Sequence, residues 1–188
     1  WKGLMMIQKI TNGELNENCY ILTRDKNCIV IDPGYAYEEI IKYTNKNNLT
    51  ILAVLLTHGH FDHSKNGFEL QKLGIPVYIH KEDADKLYTD KNLSNLVDAN
   101  FDYYNADYLI DEGKLCIGDF TFDVIHTPGH SKGSVSFIYE NNIFCGDTLF
   151  ENGYGRYDFY DGNYFDMMKS VKHLLKYKKD GYKFFYGH

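Results

Sequence analysis

The chain has 188 residues, with 26 acidic against 20 basic side chains and a formal charge of −6. That length fits one domain or two fused halves, with room for a sizeable core without disulfide staples. The acidic balance argues against nucleic acid or an anionic membrane as main partner, and no apolar run approaches the ~18 residues of a membrane span. The opening Trp1-Lys2-Gly3-Leu4 is too short for a signal peptide, and the natural start is expected at Met5 or Met6. Cys19, Cys28, Cys116 and Cys145 show no CxxC spacing and sit in apolar runs. They read as reduced and buried, which fits a cytoplasmic protein.

Taken in order, residues 6–10, 18–23 and 28–31 read as short strands rich in β-branched and aromatic side chains, with a hairpin turn at 24–27. Residues 37–47 show helical spacing. The run 51–56 does not alternate and reads as a strand buried on both faces. A helix is predicted over 65–73, stopping at Gly74, then a strand at 77–79 and a helix over 81–88. Residues 92–107 read as a long irregular loop beside the active site. The second half repeats the theme: strands near 115–117, 120–125, 134–139 and 143–145, a helix over 164–177, and a last strand at 183–186. The expected organisation is a single domain over residues 1–188 with two similar halves, about 1–107 and 108–188. Two such halves suggest an α/β fold of two mixed sheets packed face to face with helices outside, an α/β/β/α sandwich.

Chemistry concentrates in His58-Gly59-His60-Phe61-Asp62-His63, which sets three imidazoles and a carboxylate directly behind the run 51–56. Imidazole with carboxylate suits zinc, iron or manganese better than calcium or magnesium. Further ligand-type residues downstream suggest two metals close together. His58, His130, Asp147 and His188 each follow a predicted strand. In α/β sheets, sites gather outside the carboxyl ends of strands. His80 reads as structural, His173 as solvated, Lys132 as exposed, and His126 as an outer partner of the site at most.

The hexapeptide resembles the HxHxDH signature of the metallo-β-lactamase superfamily. Asp32-Pro33-Gly34, Thr127-Pro128-Gly129-His130-Ser131-Lys132-Gly133-Ser134, Cys145-Gly146-Asp147-Thr148-Leu149-Phe150 and Gly187-His188 resemble its other segments in the same order. The nearest likeness is to small glyoxalase II-like (hydroxyacylglutathione hydrolase-like) hydrolases. The resemblance implies the sandwich fold and a binuclear site. His58, His60 and His130 would hold one metal, Asp62, His63 and His188 the other, with Asp147 bridging. Two divalent ions are implied, zinc first, with iron or manganese as alternatives. The implied reaction is cleavage of a small thioester or ester by a metal-bound hydroxide that Asp62 also orients. The alternative is a mononuclear iron oxidoreductase resembling persulfide dioxygenases. Asp32 either takes the second N–H of a ligating histidine or caps its own turn. Arg156 stands nine residues past Asp147. In glyoxalase II enzymes a basic residue at the matching position contacts the glutathione carboxylate, for which guanidinium is well shaped; a surface salt bridge is the competing reading. The expected partner is a small anionic molecule, with neither nucleic acid nor membrane. The helical domain that clamps glutathione in those enzymes does not appear in this chain, which is expected to continue past His188 in its natural form.

Overall fold

Strand β2 (Glu17–Arg24) is buried along nearly its whole length, and its alternation sorts its side chains into two cores. Tyr20 and Leu22 join one apolar cluster, Cys19 and Ile21 another. Strands β3 (Asn27–Ile31) and β4 (Thr50–Leu55) do the same, because successive side chains leave opposite faces of a strand. A strand apolar on both faces needs a layer on each side.

The computed structural model describes residues 5–188. The segment Trp1–Leu4, where the N-terminal reading began, lies outside the described residues. Strand β1 (Met5–Asn12) pairs antiparallel with β2, and β2 with β3. From β3 onward the first sheet is parallel through β4, β5 (Val77–His80) and β6 (Tyr108–Ile110). The second sheet has the order β11-β10-β9-β8-β7: β7 (Gly113–Ile117), β8 (Phe120–His126), β9 (Val135–Tyr139), β10 (Asn142–Gly146) and β11 (Lys183–Tyr186). Between the sheets, Leu22, Ile29, Ile31 and Leu55 meet Phe120, Phe122, Phe137 and Phe144. Each such side chain taken fully from water contributes about 1.5–3 kcal/mol. Helices α1 (Tyr37–Lys46) and α3 (Gly67–Lys72) cover the outer face of the first sheet through Ile40 and Leu70. Helix α4 (Tyr164–Lys179) covers the second through Leu174. The fold is the α/β/β/α sandwich.

Three local readings are corrected. The helix expected over 65–73 forms as α3, with a separate short turn before it, α2 (Phe61–Ser64), that was not read. They part at Asn66, whose N–H donates to Gly34 O and whose Oδ1 accepts from Tyr37 N, both outside its own helix. The helix expected over 81–88 is a single 3-10 turn, Ala84–Tyr88. Asp83 there accepts from the backbone N–H of Gly59 and Gly133, competing with regular helix formation. Strand β6 falls where no element was read, being only three residues at a sheet edge. Cys116 is exposed rather than buried, because β7 turns it away from the inter-sheet core that Ile117 enters.

Candidate metal centre

Strands β3, β4, β8, β10 and β11 all end at one rim, since β8, β10 and β11 run in one direction and β3 and β4 in another shared one. Asp32 follows β3, His58 follows β4, His130 lies just past β8, Asp147 follows β10 and His188 follows β11. His60, Asp62 and His63 arrive on α2 and the residue before it. The rim is drawn tight by backbone bonds from Asn18 N to Gly187 O at 2.7 Å, Gly187 N to Gly146 O at 2.9 Å and Gly34 N to His63 O at 2.9 Å. Gly187 lies against the Asp147 carboxylate and His63, where a Cβ would collide.

The seven predicted residues converge in two groups. His58, His60 and His130 form one, Asp62, His63 and His188 the other, each with one donor atom per residue within 4.8 Å of its fellows. Asp147 lies between: its Oδ1 is 3.3 Å from His63 Nε2, and its Oδ2 is 3.5 Å from His130 Nε2 and 3.4 Å from His188 Nε2. His60 Nδ1 is 3.0 Å from His130 Nε2, and His188 Nε2 is 3.4 Å from Asp62 Oδ2. Donors held about 2.0–2.1 Å from a tetrahedral zinc sit roughly 3.3–3.4 Å apart, so these separations suit a shared cation. The rings of His58, His60 and His130 stand edge to face in every pairing, at 78° to 89°. That orientation lets three in-plane lone pairs point to one place. His58 Nε2 and Asp147 Oδ1 are buried with no hydrogen-bond partner. An unpaired buried polar atom costs about 1–3 kcal/mol, which coordination would relieve. The residues fit a metal pair.

The far side of each ring is held too. His63 Nδ1 bonds Asp32 Oδ2 at 3.0 Å, His130 Nδ1 donates to Arg156 O at 2.7 Å, and His188 Nδ1 donates to Leu15 O at 2.9 Å. Each bond fixes the tautomer that leaves Nε2 free for a metal. Asp32 also accepts from Thr57 N and Thr57 Oγ1 at 2.8 and 2.6 Å, so it orients His63 and ties down the residue before His58. Its φ of 50° is left-handed, a strain that these bonds sustain.

Charge is arranged to match. Burial, then the neighbouring imidazoles, hold His58 well below the usual histidine range; burial, His130 and Lys86 do the same to His60. Burial opposes a charge on His63, yet Asp147 and Asp62 raise its pKa well above normal. His188 is pushed up to about 10 against its burial by hydrogen bonds to Asp147 and Asp62. Asp147 is itself held well below the carboxylate range against burial, chiefly by His63 and His188. The surroundings thus disfavour a positive charge on His58 and His60, while the carboxylates of Asp62 and Asp147 favour one on His63 and His188.

Sequence reading missed the brace behind these loops. Asp83 and Lys86 are fully buried and paired at 2.9 Å, and Lys86 also meets Asp161 at 2.6 Å. Asp83 accepts from Gly59 N, Gly133 N and Ser131 Oγ at 2.7–2.8 Å. It therefore joins the turn carrying His58 and His60 to the turn carrying His130. Nothing in the spacing Asp83-x-x-Lys86 marks this, since such pairs are common on exposed helices.

A second imidazole cluster lies elsewhere. His80 and His126 stack at 4.5 Å and 17°, with Glu82 beside them. His126 Nε2 donates to Lys132 O at 2.9 Å, so it is not a partner of the metal centre. Lys132 is exposed and pairs with Glu82, and His173 is exposed, as read.

Beside the metal residues opens a cleft of about 530 Å³, lined also by Arg156 and several apolar side chains. Arg156 makes a two-point pair with Asp158, Nε to Oδ1 and NH2 to Oδ2, both 2.9 Å, and lies over the Phe159 ring at 4.6 Å. An incoming carboxylate would meet Asp158 as well as the guanidinium.

A family model described as the metallo-beta-lactamase superfamily matches residues 12–188. The chain belongs to that superfamily. Among curated members it is 36% identical over 178 residues to the probable metallo-hydrolase YqgX of Bacillus subtilis (strain 168), covering 91% of this chain and 84% of that one. It is also 36% identical over 170 residues to hydroxyacylglutathione hydrolase 1 of Vibrio vulnificus (strain YJ016), covering 90% of this chain but 60% of the other. Among solved structures, TTHA1623 in a di-iron-bound form is 30% identical, with a TM-score of 0.85 over 96% of this chain and 91% of that one. Among the described residues no helix is long and apolar enough to cross a membrane.

Proposed function

We propose that this chain is a binuclear metal-dependent hydrolase that cleaves a small thioester or a related ester. The observation that supports it best is the pair of donor groups joined by Asp147 at separations suited to two cations. Divalent metals bound there would lower the pKa of a water and polarise a carbonyl. His58, His60 and His130 would hold one metal; Asp62, His63 and His188 the other. Asp32 and the carbonyls of Arg156 and Leu15 keep three of the imidazoles in register. Asp62 lines the cleft as well as its donor group, so its carboxylate accepts a hydrogen bond from water and aims it at the substrate. The partial match in length to the Vibrio hydrolase leaves glutathione itself outside the proposal. We assign zinc to both positions; the iron pair of TTHA1623 makes iron the chief competitor.

Metal content by mass spectrometry on natively purified protein, followed by a thioester, lactone and β-lactam panel, tests this. Two metals per chain with thioester turnover is the expected result. One iron per chain with oxygen consumption on a persulfide would replace it with the oxygenase reading.

A further inference from the structure

The walls of the cleft are more selective than its floor. Leu15 comes from the turn between β1 and β2, Leu93, Leu96 and Val97 from the segment after β5, and Phe150 and Phe159 from the loop after β10. Leu15, Leu96 and Val97 remain 47%, 68% and 55% exposed beside the opening. Several large apolar side chains left in water around one opening mark a surface that something apolar covers.

The wall is also built to stay in place. Leu93 has a left-handed φ of 70°, a conformation that a branched side chain avoids. The fully buried Asn92 holds it there, its Nδ2 donating to Thr89 O at 2.9 Å and its Oδ1 accepting from Ser94 N at 2.8 Å. Strain maintained by a buried clamp beside a reactive centre points to a fixed part of the site. Among the described residues the one cation of the lining away from the metal residues, Arg156, is neutralised by Asp158.

We infer that this cleft selects esters or thioesters bearing an uncharged apolar chain, which packs on Leu15, Leu93, Leu96 and Val97 while the scissile carbonyl faces the metal residues. This rests on the hydrolase reading above. It departs from the anionic substrate expected from the sequence, because the lining offers an apolar chain several partners and a carboxylate only a guanidinium that Asp158 already holds. Either the acyl half or the leaving half can supply the chain.

Two substrate series on the metal-loaded protein separate these: acetyl, butyryl, hexanoyl and octanoyl thioesters of one small neutral thiol, and acetyl thioesters of thiols lengthened likewise. In one series kcat/KM should rise about two- to fourfold per methylene, the size of effect that partial to full burial of a methylene gives. Leu96→Ser should flatten that rise, and Leu175→Ser, on the exposed side of α4, should leave it intact. A flat response in both series, or a preference for glutaryl over the neutral chain of equal length, overturns the inference. Absence of turnover on every ester would instead sink the hydrolase reading. Calorimetry with N-hexylacetamide against N-ethylacetamide then decides the cleft independently: tighter binding of the longer amide supports it, and equal binding ends it.

Discussion

Among the described residues two places gather imidazoles and carboxylates, and one of them has the geometry of a metal centre. Around His58 the rings stand at 78° to 89° to one another, so their in-plane lone pairs can meet. His80 and His126 lie nearly parallel at 17°, and a cation cannot sit in both ring planes at once. The carboxylates differ as well. Asp62 and Asp147 face only histidines, whereas Glu82 pairs with Lys132 and Asp111 with Lys81. Lysine satisfies in the second cluster the negative charge that a metal would satisfy in the first. Ligand-type residues in proximity are therefore a weak criterion; ring orientation and the presence of competing cations are the discriminating ones.

The hardest test of that contrast is Asp147→Ala. It removes the carboxylate shared by both groups, so thioester turnover should fall to background and metal content below two per chain, with circular dichroism unchanged. Near-normal turnover would remove Asp147 from the ligand set. His80→Gln, in the stacked cluster, should leave metal content untouched.

Next in size is Asp83→Ala. Lys86 keeps Asp161 as a partner, so the loss falls on the three further donors that lose their acceptor, at about 1–3 kcal/mol for each one left buried and unpaired. Urea unfolding should show it, and a loss below about 1 kcal/mol would mean that the two ligand turns do not depend on this brace. Asp32→Asn is expected to be milder. It keeps the shape but weakens the acceptor for His63 Nδ1, and partners of this kind are worth roughly 10–100-fold in metal affinity or activity. Competition with a chelator measures it, and unchanged affinity would reduce Asp32 to a turn residue.

The smallest effect belongs to the stacked cluster. Burial, then His126, lowers the His80 pKa below its ordinary 6.5. The unfolded chain therefore takes up the proton first as pH falls. Stability held by the neutral ring is complete above about pH 6.5 and is lost below it, down to the depressed folded value. His80→Gln should flatten the decline in thermal stability between about pH 7 and 5, compared with the parent under the same metal conditions. An unchanged slope would show that the His80 ring is not held neutral.

Much of this was legible in the chain. Strands such as β8 and helices such as α1 and α4 carry their period in their own side chains, because each buries a face against a neighbouring layer. The hexapeptide from His58 to His63 announces metal chemistry because four donors in six residues have few other uses. The 3-10 turn at Ala84–Tyr88 was not legible, since Asp83 turns from its own backbone to Gly59 and Gly133, residues far away in sequence. The wall formed by Leu93, Leu96 and Val97 was hidden for a similar reason. A leucine in a polar stretch looks like any other until the fold sets it beside His60 and His130.

By itself, then, the sequence carried the two-sheet architecture in its short-range periodicity, and the superfamily and candidate ligands in the resemblance of its motifs, because both are properties of neighbours along a chain. Tertiary structure alone decided that His80 and His126 stack, that Arg156 is already paired, and that a buried lysine and aspartate brace the ligand turns. Those outcomes depend on ring angles and ångström-scale distances between strands that meet only when the two sheets close on each other.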